Sequence, residues 1–448
     1  MNFYNLQDKY QLLAGHVQCG KTRHILDYCT WSNQQGASVL VVLQNSLADI
    51  VQLKMRIESY NVSSVEPLLP VVVSEMTEYN ATDNRVYIII GNSSQVKLFL
   101  NWNPTHFHVC LDEADMCIKS CDISSKLEAS MVRLKARCSH VLAVTATCLP
   151  VLFCEERLAS VKTLDNPENY YGYETLSKIP LTTLDPVTEA YADFLAGNKG
   201  LMLHVQHSAK YKQRRSASEL VQVYPQVLFI VFNGDGLTIY PHATRTEMLK
   251  TIKEYTGFDA GNPDQGAPVV VDKVLCTLYK ILQVVKKHKV PLTSIIAGRM
   301  ASRGISFVSE KYDFHLTHQL FLCPVSKHAE GIVQSLRIMG VYSDEPQLKL
   351  YALARVFRII RRTYDAFESY AHQLQDKTWD LAAISDAVKQ IEVPHIAAFS
   401  RPKVVKFLDF DVRDAERPGD PGIMKFTGLS PYAPEPEPDE DNSDAEDD

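Results

Sequence analysis

Residues 12–22 read LLAGHVQCGKT, an apolar run followed by a glycine-rich loop that ends in Lys21 and Thr22. The loop matches the pattern GxxxxGK followed by Ser or Thr, and apolar residues at helical spacing follow it over residues 22–32. A strand, a glycine-rich loop and a helix in this order are the context that a phosphate-binding loop requires. The segment therefore predicts a nucleotide site at the carboxyl end of a strand.

The residue types in this loop suit the binding of phosphate and of a metal ion. Glycines let backbone N–H groups approach phosphate oxygens closely, and the N-terminus of the following helix adds positive partial charge. We expect Lys21 to contact the β- and γ-phosphates and Thr22 to bind Mg²⁺. The predicted nucleotide-binding residues are Gly15, Gln18, Cys19, Gly20, Lys21 and Thr22.

An acidic motif lies about 90 residues further along, where residues 108–115 read HVCLDEAD. An apolar strand there delivers acids at its carboxyl end, the edge at which parallel sheets bind ligands. We expect Asp112 to hold Mg²⁺ and Glu113 to orient and deprotonate an attacking water. Thr145 and Thr147 follow a later apolar run, and their hydroxyls are predicted to couple this site to nucleic acid.

Unbroken apolar runs of strand length recur along the chain, separated by stretches with helical periodicity. Such runs are typical of parallel strands that are covered on both faces, and they predict an α/β fold with two doubly wound, parallel-sheet lobes. The predicted divisions are an N-terminal nucleotide-binding lobe at 1–165, a connector at 166–180, a C-terminal lobe at 181–380 with a loop-rich insertion at about 233–268, an extension at 381–430 and a disordered acidic tail at 431–448.

Two segments of the C-terminal lobe present arginines that could reach a γ-phosphate across a cleft. Residues 297–306 read AGRMASRGIS and include Arg303, and residues 334–340 read QSLRIMG and include Arg337 on a predicted helix. An arginine that crosses such a cleft accelerates hydrolysis by about 10³- to 10⁵-fold in other nucleotide hydrolases. Surface arginines in salt bridges are the alternative interpretation of either segment.

Candidate nucleic-acid contacts are polar residues at strand ends and one basic cluster. Polar side chains at strand ends can hold phosphate oxygens, and basic residues can follow a nucleic-acid backbone. Turn or helix-cap residues and a solvated helix face are the competing interpretations. The candidates are Gln44, Asn45, Asn92, Ser93, Lys210, Arg214 and Arg215.

Composition limits the class of protein. The 448 residues carry a net charge of −7, but the last 18, PYAPEPEPDEDNSDAEDD, hold nine acids, and the rest of the chain has 46 basic against 44 acidic side chains. No apolar run has the roughly 18–20 residues that span a bilayer, and the N-terminus lacks a signal-peptide pattern. These features predict a soluble intracellular protein of the cytoplasm or nucleus, with no membrane partner. Ten scattered cysteines fit reduced thiols better than a zinc site.

Taken in order, the motifs resemble those of superfamily 2 helicases, whose two RecA-like lobes hold ATP between them. A closer resemblance is to the Z-one domain, a helicase-like ATPase domain of endonuclease and restriction-type systems. Cys148 departs from that family, which has proline after Thr-Ala-Thr, and Val341 stands where helicases often have a second arginine. The segments that carry the resemblance are 15–22, 112–115, 145–147, 166–172, 302–306 and 334–340.

The resemblance implies an ATP-dependent helicase or translocase that uses ATP and Mg²⁺ and acts on nucleic acid, with DNA favoured over RNA. The alternatives are an ATPase subunit of a nuclease system and a nucleotide-gated interaction protein without unwinding activity. A nuclease or replication partner could dock on the acidic tail, and a compact helicase would fit viral or mobile-element replication. The implied catalytic residues are Lys21, Glu113, Arg337, Arg303 and Gln334.

Overall fold

A computed structural model of the chain gives the fold. It describes residues 3–44, 47–76, 85–117, 125–146, 148, 151, 159–182, 185–206, 209–272, 275–301, 305–322, 329–342, 346–354, 356–358, 360–361 and 364–365. The predicted extension at 381–430 and the acidic tail lie outside these residues. Within the described ranges, every helix falls short of the length and apolar character that a bilayer crossing requires.

The first lobe is built on a seven-stranded sheet in which all neighbouring strands are parallel, in the order β3-β4-β2-β5-β6-β1-β7. Most of its central strands are buried along their whole length, as unbroken apolar runs predict. Its elements are β1 (Tyr10–Ala14), α1 (Lys21–Gln34), β2 (Ser38–Leu43), α2 (Leu47–Asn61), β3 (Leu69–Val72), β4 (Arg85–Ile90), α3 (Ser93–Asn101), β5 (Phe107–Asp112), α4 (Ser125–Arg137), β6 (His140–Thr145) and β7 (Ser160–Thr163).

The second lobe is built on an eight-stranded sheet in the order β13-β12-β11-β14-β10-β15-β17-β9. Its strands are parallel except where β12 joins β11 and β13. The remaining elements are β8 (Tyr170–Tyr171), β9 (Ser177–Pro180), α5 (Pro186–Ala196), β10 (Gly200–Val205), α6 (Lys210–Val223), β11 (Leu228–Asn233), β12 (Gly236–Ile239), α7 (Arg245–Thr256), β13 (Val269–Val271), α8 (Leu278–Lys287), β14 (Leu292–Ala297), β15 (His318–Phe321), α9 (Ala329–Gln334), β16 (Gly340–Val341) and β17 (Lys349–Ala352).

Helices cover both faces of each sheet. One face of each sheet contributes to a common buried apolar cluster, while the opposite faces pack under α1 and α2 in the first lobe and under α5 and α6 in the second. A sheet covered on both faces is the doubly wound arrangement. The predicted α/β fold with two doubly wound parallel-sheet lobes is therefore confirmed.

The segment at 233–268, predicted as loops or an insertion, contains regular structure. After β11 the chain turns through Gly234 and Asp235, pairs back as β12 with Asn233 opposite Gly236, and then forms α7. The left-handed residue of this hairpin is Gly236, with φ of 113°, a conformation that glycine adopts without strain. A short loop of Gly, Asp and Gly between apolar runs is a hairpin signal. The high Gly, Pro and Asp content of the segment obscured this signal in the sequence.

The predicted connector also contains regular structure. β9, at its C-terminal end, joins the second sheet beside β17. Tyr170 and Tyr171 form β8, which pairs antiparallel with β16, so that the connector contacts the second lobe. The hydroxyl of Tyr170 donates to the Val17 carbonyl oxygen at 2.8 Å. The connector therefore lies against both the glycine-rich loop and β16.

Candidate nucleotide site

The glycine-rich loop leaves the carboxyl end of β1 and enters α1 directly. The Gly15 N–H donates to the Thr145 carbonyl oxygen at 3.2 Å, which joins the start of the loop to the end of β6. Gly20 has φ of 96° and precedes the first residue of α1, a left-handed conformation that glycine adopts without strain. A Cβ atom at Gly15 would lie 2.7 Å from Cys19 Sγ, so a larger residue does not fit there.

Lys21 reaches back across the loop. Its Nζ donates to the carbonyl oxygens of Gly15 at 3.2 Å and His16 at 2.7 Å. A positive charge held inside a glycine-rich loop at a helix N-terminus forms a site for anionic phosphate oxygens. Thr22, one residue later, lies in the first turn of α1 with its side chain half-buried.

Asp112 and Glu113 lie at the carboxyl end of β5, two strands from β1 in the same sheet. Glu113 has φ of 50°, and its N–H donates to Asp112 Oδ1 at 3.1 Å. Burial and the neighbouring Glu113 raise the pKa of Asp112 to about 7, although the cations Lys21 and Arg56 lower it. The Asp112 carboxylate therefore lacks the countercharge that its full ionisation would need.

The donor set at this edge suits a magnesium ion. Asp112 offers carboxylate oxygens and Thr22 offers a hydroxyl, and hard divalent cations of this size prefer oxygen ligands, with substrate phosphates completing the shell. A cation bound between them would supply the countercharge that Asp112 lacks. Both residues line the same cavity as the glycine-rich loop.

The second lobe contributes side chains to the same place. Gln334 is 1% exposed, and its Nε2 donates to Glu113 Oε2 at 3.3 Å across the cleft. Gln18 of the loop donates from Nε2 to the Arg337 carbonyl oxygen at 3.4 Å. Arg337 is 5% exposed, and its Nε donates to the Ala301 carbonyl oxygen at 3.0 Å. The predicted Gln334 and Arg337 therefore lie with Gln18 and Glu113 at one interface.

The segment that carries Arg337 is not the predicted helix. α9 ends at Gln334, and the next residues form tight turns. Gln319 of β15 holds them: its Nε2 donates to the Ser335 carbonyl oxygen at 2.7 Å, and its Oε1 accepts from the Ile338 N–H at 3.0 Å. Every residue from 332 to 340 is buried, so the whole segment lies inside the protein.

A cavity of about 960 Å³ lies between the lobes and is lined by residues of both. The size exceeds what a nucleoside triphosphate needs and falls within the upper range of ligand pockets. The predicted residues that line it are Gln18, Gly20, Lys21, Thr22, Asp112, Glu113 and Arg337. Gly15 and Cys19 belong to the same loop, and Cys19 is buried.

Thr145 lies at the end of β6, beside the loop but buried. Its Oγ1 donates to Asp115 Oδ1 at 2.9 Å, and both side chains are at most 1% exposed. Asp115, the last acid of the acidic motif, is thus hydrogen-bonded to the end of β6. Thr147, Arg303 and Asn45, also predicted as site residues, lie outside the described residues.

The polar candidates for nucleic-acid contact lie at the carboxyl edge of the first sheet. Gln44 follows β2 and is half-buried. Asn92 follows β4 and caps α3, because its Oδ1 accepts the Gln95 N–H at 2.9 Å and the Ser94 hydroxyl at 2.8 Å. Ser93 is the first residue of α3. Asn92 therefore has a structural role, the helix cap that was one of its two interpretations.

The basic cluster lies on α6 and is largely paired with acids. Lys210 Nζ and Arg214 Nη2 contact the two oxygens of Asp235 at 2.5 Å and 2.6 Å. Arg215 Nε contacts Glu219 Oε1 at 3.0 Å within the same helix. All three basic side chains are more than 40% exposed, so these ion pairs contribute little stability and can exchange for phosphate.

Three polar residues of α2 lie at the cleft although they belong to none of the sequence motifs. Arg56 Nη1 donates to Thr22 Oγ1, and Gln52 donates from Nε2 to Ser306 Oγ at 3.3 Å. Asp49 is 7% exposed, and among the described residues neither of its carboxylate oxygens has a hydrogen-bond partner. Burial and the charges of Asp112 and Glu113 raise its pKa to about 8. The spacing i, i+3, i+7, which places them on one helix face, was the available signal.

Comparison with known proteins finds resemblance only at the level of structure. No protein-family model and no curated protein matches the chain. The structure is similar to S. cerevisiae Dbp5 bound to RNA and ADP BeF3, with a TM-score of 0.49 and 12% identity over 86% of this chain and 84% of that one.

Two further solved structures show similarity of the same order. The DEAD-box helicase Mss116 bound to ssRNA and UDP-BeF has a TM-score of 0.44 and 11% identity over 77% of this chain and 66% of that one. The Mycobacterium smegmatis helicase Lhr bound to ssDNA and AMP-PNP has a TM-score of 0.46 and 11% identity, over 86% of this chain and 51% of that one. The assignment of the site depends on its own geometry.

Proposed function

We propose that the chain is an ATP-dependent helicase or translocase that hydrolyses ATP in the cavity between its lobes and moves along nucleic acid, with DNA as the preferred track. The observation that carries this proposal is the convergence of the glycine-rich loop, the acids at the end of β5 and the Gln334–Arg337 segment on one cavity. Phosphate-binding, acidic and cationic groups on facing lobes are the parts that phosphoryl transfer to water requires.

The first lobe binds the triphosphate in this proposal. Lys21 leaves the carbonyl oxygens of Gly15 and His16 and contacts the β- and γ-phosphates, while backbone N–H groups of the loop and of the first turn of α1 hold their oxygens. Asp112 and Thr22 would hold Mg²⁺, whose chemistry is to neutralise charge on the phosphate oxygens. The cradle is made mainly of backbone, so it is already formed before the ligand arrives.

Glu113 is the proposed base. It accepts the proton of a water that attacks the γ-phosphorus as the bond to the leaving β-phosphate oxygen breaks. Gln334 holds the Glu113 carboxylate from the opposite lobe, and Arg337 stabilises the charge that develops on the transferred group. Arg303 is a second candidate for this cationic role. Hydrolysis then requires both lobes in contact, which ties the chemistry to lobe movement.

The remaining parts of the proposal concern the track and the partners. Gln44 follows β2, Ser93 begins α3 after β4, and the basic residues Lys210, Arg214 and Arg215 lie exposed on α6, so both lobes offer phosphate contacts. Asn45, outside the described residues, is a further candidate contact. Coupling runs from the acidic motif through Thr145 and Thr147. Membership in the Z-one family, a nuclease or replication partner at the acidic tail, and action in the cytoplasm or nucleus without a membrane partner belong to the same proposal.

Steady-state ATP hydrolysis tests the proposal. The purified chain is assayed alone and with single-stranded DNA, duplex DNA or RNA, beside Lys21→Ala and Glu113→Gln. We expect hydrolysis that one polymer stimulates and that both variants lose. Binding of ATP without hydrolysis under every condition would contradict the motor and favour a nucleotide-gated interaction protein.

A further inference from the structure

Arg56 connects the two lobes at the mouth of the phosphate site. Its Nη1 donates to Thr22 Oγ1 of the first lobe, and its Nη2 donates to Ser306 Oγ of the second at 3.3 Å. Its Nε donates to the Tyr312 hydroxyl, also of the second lobe, at 3.4 Å. One guanidinium therefore uses three of its nitrogens, whose N–H groups point in different directions within its plane, to join the lobes.

Arg56 lies on a face of α2 that also contacts the second lobe through another residue. Gln52, one turn earlier, also donates to Ser306 Oγ, so the same helix face contacts the second lobe twice. Arg56 lines the same cavity as Lys21 and Asp112. A cation that lines a phosphate site and already bonds the opposite lobe can report to that lobe whether the site is filled.

Metal binding by Thr22 would weaken its contact with Arg56. The proposed ligand atom, Thr22 Oγ1, is the atom that accepts from Arg56 Nη1. A divalent cation beside that oxygen would repel the guanidinium charge at short range. The γ-phosphate oxygens of a bound nucleotide are anionic acceptors within the same cavity, and guanidinium groups bind phosphate through two parallel hydrogen bonds.

We propose that Arg56 is a nucleotide-binding residue that links nucleotide occupancy to lobe contact: when a nucleoside triphosphate binds, its guanidinium moves from Thr22 Oγ1 to the γ-phosphate and keeps its contact with Ser306. This inference rests on the proposed nucleotide site and adds a γ-phosphate contact from the first lobe. A diphosphate offers no γ-phosphate, so Arg56 distinguishes the triphosphate from the diphosphate.

Nucleotide affinity measures this role separately from catalysis. The full chain is titrated with a fluorescent non-hydrolysable ATP analogue and with fluorescent ADP, both with Mg²⁺, for the unaltered chain, Arg56→Ala, Lys21→Ala and Lys54→Ala. Lys54 is the matched control, because it removes one positive charge from the same helix while its Nζ contacts only Glu75, at 3.3 Å, in the described residues.

Arg56→Ala should weaken binding of the ATP analogue by about 10- to 100-fold, the usual effect of losing a hydrogen bond between charged groups. Binding of ADP should change by less than about three-fold, within the variation expected of an uninvolved site. Lys54→Ala should bind both nucleotides as the unaltered chain does. Equal loss of both nucleotides in Arg56→Ala, or no loss of either, would overturn the inference.

A second experiment measures whether Arg56 couples nucleotide binding to closure of the two lobes. The fall in radius of gyration on addition of the ATP analogue, followed by small-angle X-ray scattering, should shrink in Arg56→Ala and to the same extent in Ser306→Ala. Should Arg56→Ala not fold, Arg56→Lys carries the test, since lysine keeps the charge but cannot bridge two acceptors with one planar group.

The controls separate this inference from the proposed function. Lys21→Ala should lose both nucleotides. If it does and Arg56→Ala retains full affinity for the ATP analogue, the nucleotide site stands and the role of Arg56 is wrong. If Lys21→Ala keeps both nucleotides, the proposed site itself is contradicted.

Discussion

The two lobes face the same cavity but build their sides of it differently. The first lobe supplies consecutive residues: a loop of backbone groups that ends at Lys21, and a strand end that carries Asp112 and Glu113. The second lobe supplies separate side chains, Gln334 and Arg337, from a segment held in place by a buried glutamine of β15. One side is a binding surface made by local chain geometry, and the other is assembled by tertiary packing.

The difference predicts that nucleotide binding and ATP hydrolysis depend on different lobes. A backbone cradle is formed whenever the first lobe is folded, so nucleotide affinity should depend mostly on that lobe. Side chains from the second lobe act only when the lobes meet, so they should affect hydrolysis more than affinity. Variants on the two sides should therefore have different kinetic signatures.

Glu113→Gln should show that the first lobe also contains a residue whose role is chemical. The amide keeps the size of the side chain but cannot accept a proton, so kcat should fall by about 10²- to 10⁴-fold while ATP affinity stays nearly unchanged. Single-turnover hydrolysis and equilibrium binding are the measurements. Glu174→Gln, a largely exposed acid paired with Lys178, is the control and should behave as the unaltered chain.

Gln334→Ala should remove the contact between the second lobe and the proposed catalytic base, Glu113. Without the amide, the Glu113 carboxylate loses its 3.3 Å partner, and misplacement of a catalytic group by about 1 Å costs on the order of 10² in rate. We expect kcat to fall by about 10- to 100-fold with ATP affinity retained. Gln334→Glu should fall further, because it faces one carboxylate with another. Normal kcat in both variants would place Gln334 outside the reaction.

Thr145→Val and Thr293→Val compare a buried strand threonine in each lobe. Thr145 donates to Asp115, whereas the Thr293 hydroxyl, also fully buried, has no hydrogen-bond partner in the described part of the chain. Losing the donor to a buried carboxylate should lower the free energy of unfolding by about 1–3 kcal/mol, and the second change should be neutral or stabilising. Urea unfolding measures both. Equal losses would contradict the structural role of Thr145.

His140→Gln should make the chain less sensitive to acid. Burial lowers the pKa of His140 from its ordinary 6.5 to about 4, so between these values the unfolded chain takes up a proton that the folded chain does not. The free energy of unfolding therefore falls as pH decreases through this window, by up to about 1.4 kcal/mol per pH unit for each such histidine. Glutamine does not titrate, and unfolding midpoints from pH 7 to 4.5 should show the shallower slope.

The contacts of His140 identify a suitable control histidine for that measurement. Its ring nitrogens lie 2.8 Å from the Tyr28 hydroxyl and 3.0 Å from Gln11 Oε1, a polar network inside the first lobe. Exposed His106 lies nearby outside this network, and His106→Gln should leave the slope unchanged. An unchanged slope in His140→Gln would show that other groups determine acid unfolding.

The same contrast between the lobes explains what the sequence could predict. The glycine-rich loop and the acidic motif are local, because each is recognised from consecutive residues after an apolar strand, and the structure places both at one cavity. The two parallel sheets follow from unbroken apolar runs for the same reason. The hairpin at Asn233–Gly236 was predicted as loop, because its turn residues dominated the composition.

The site residues that the sequence could not predict are placed by contacts between distant parts of the chain. Arg56, Gln52 and Asp49 stand on an ordinary amphipathic helix, and nothing local distinguishes them from a solvated or packed face. The course of residues 335–340 was predicted as helix, because its apolar spacing does not reveal that Gln319 replaces the helical hydrogen bonds. Such features depend on residues that are distant in sequence.

The most direct test of the division between the lobes is Arg337→Ala, measured for both ATP affinity and single-turnover hydrolysis. We predict a fall in hydrolysis of about 10³-fold or more with ATP affinity within about three-fold of the unaltered chain, because the arginine acts on charge that develops during transfer. Loss of ATP affinity with hydrolysis preserved at saturation would contradict this account, since the second lobe would then bind the nucleotide without taking part in the chemistry.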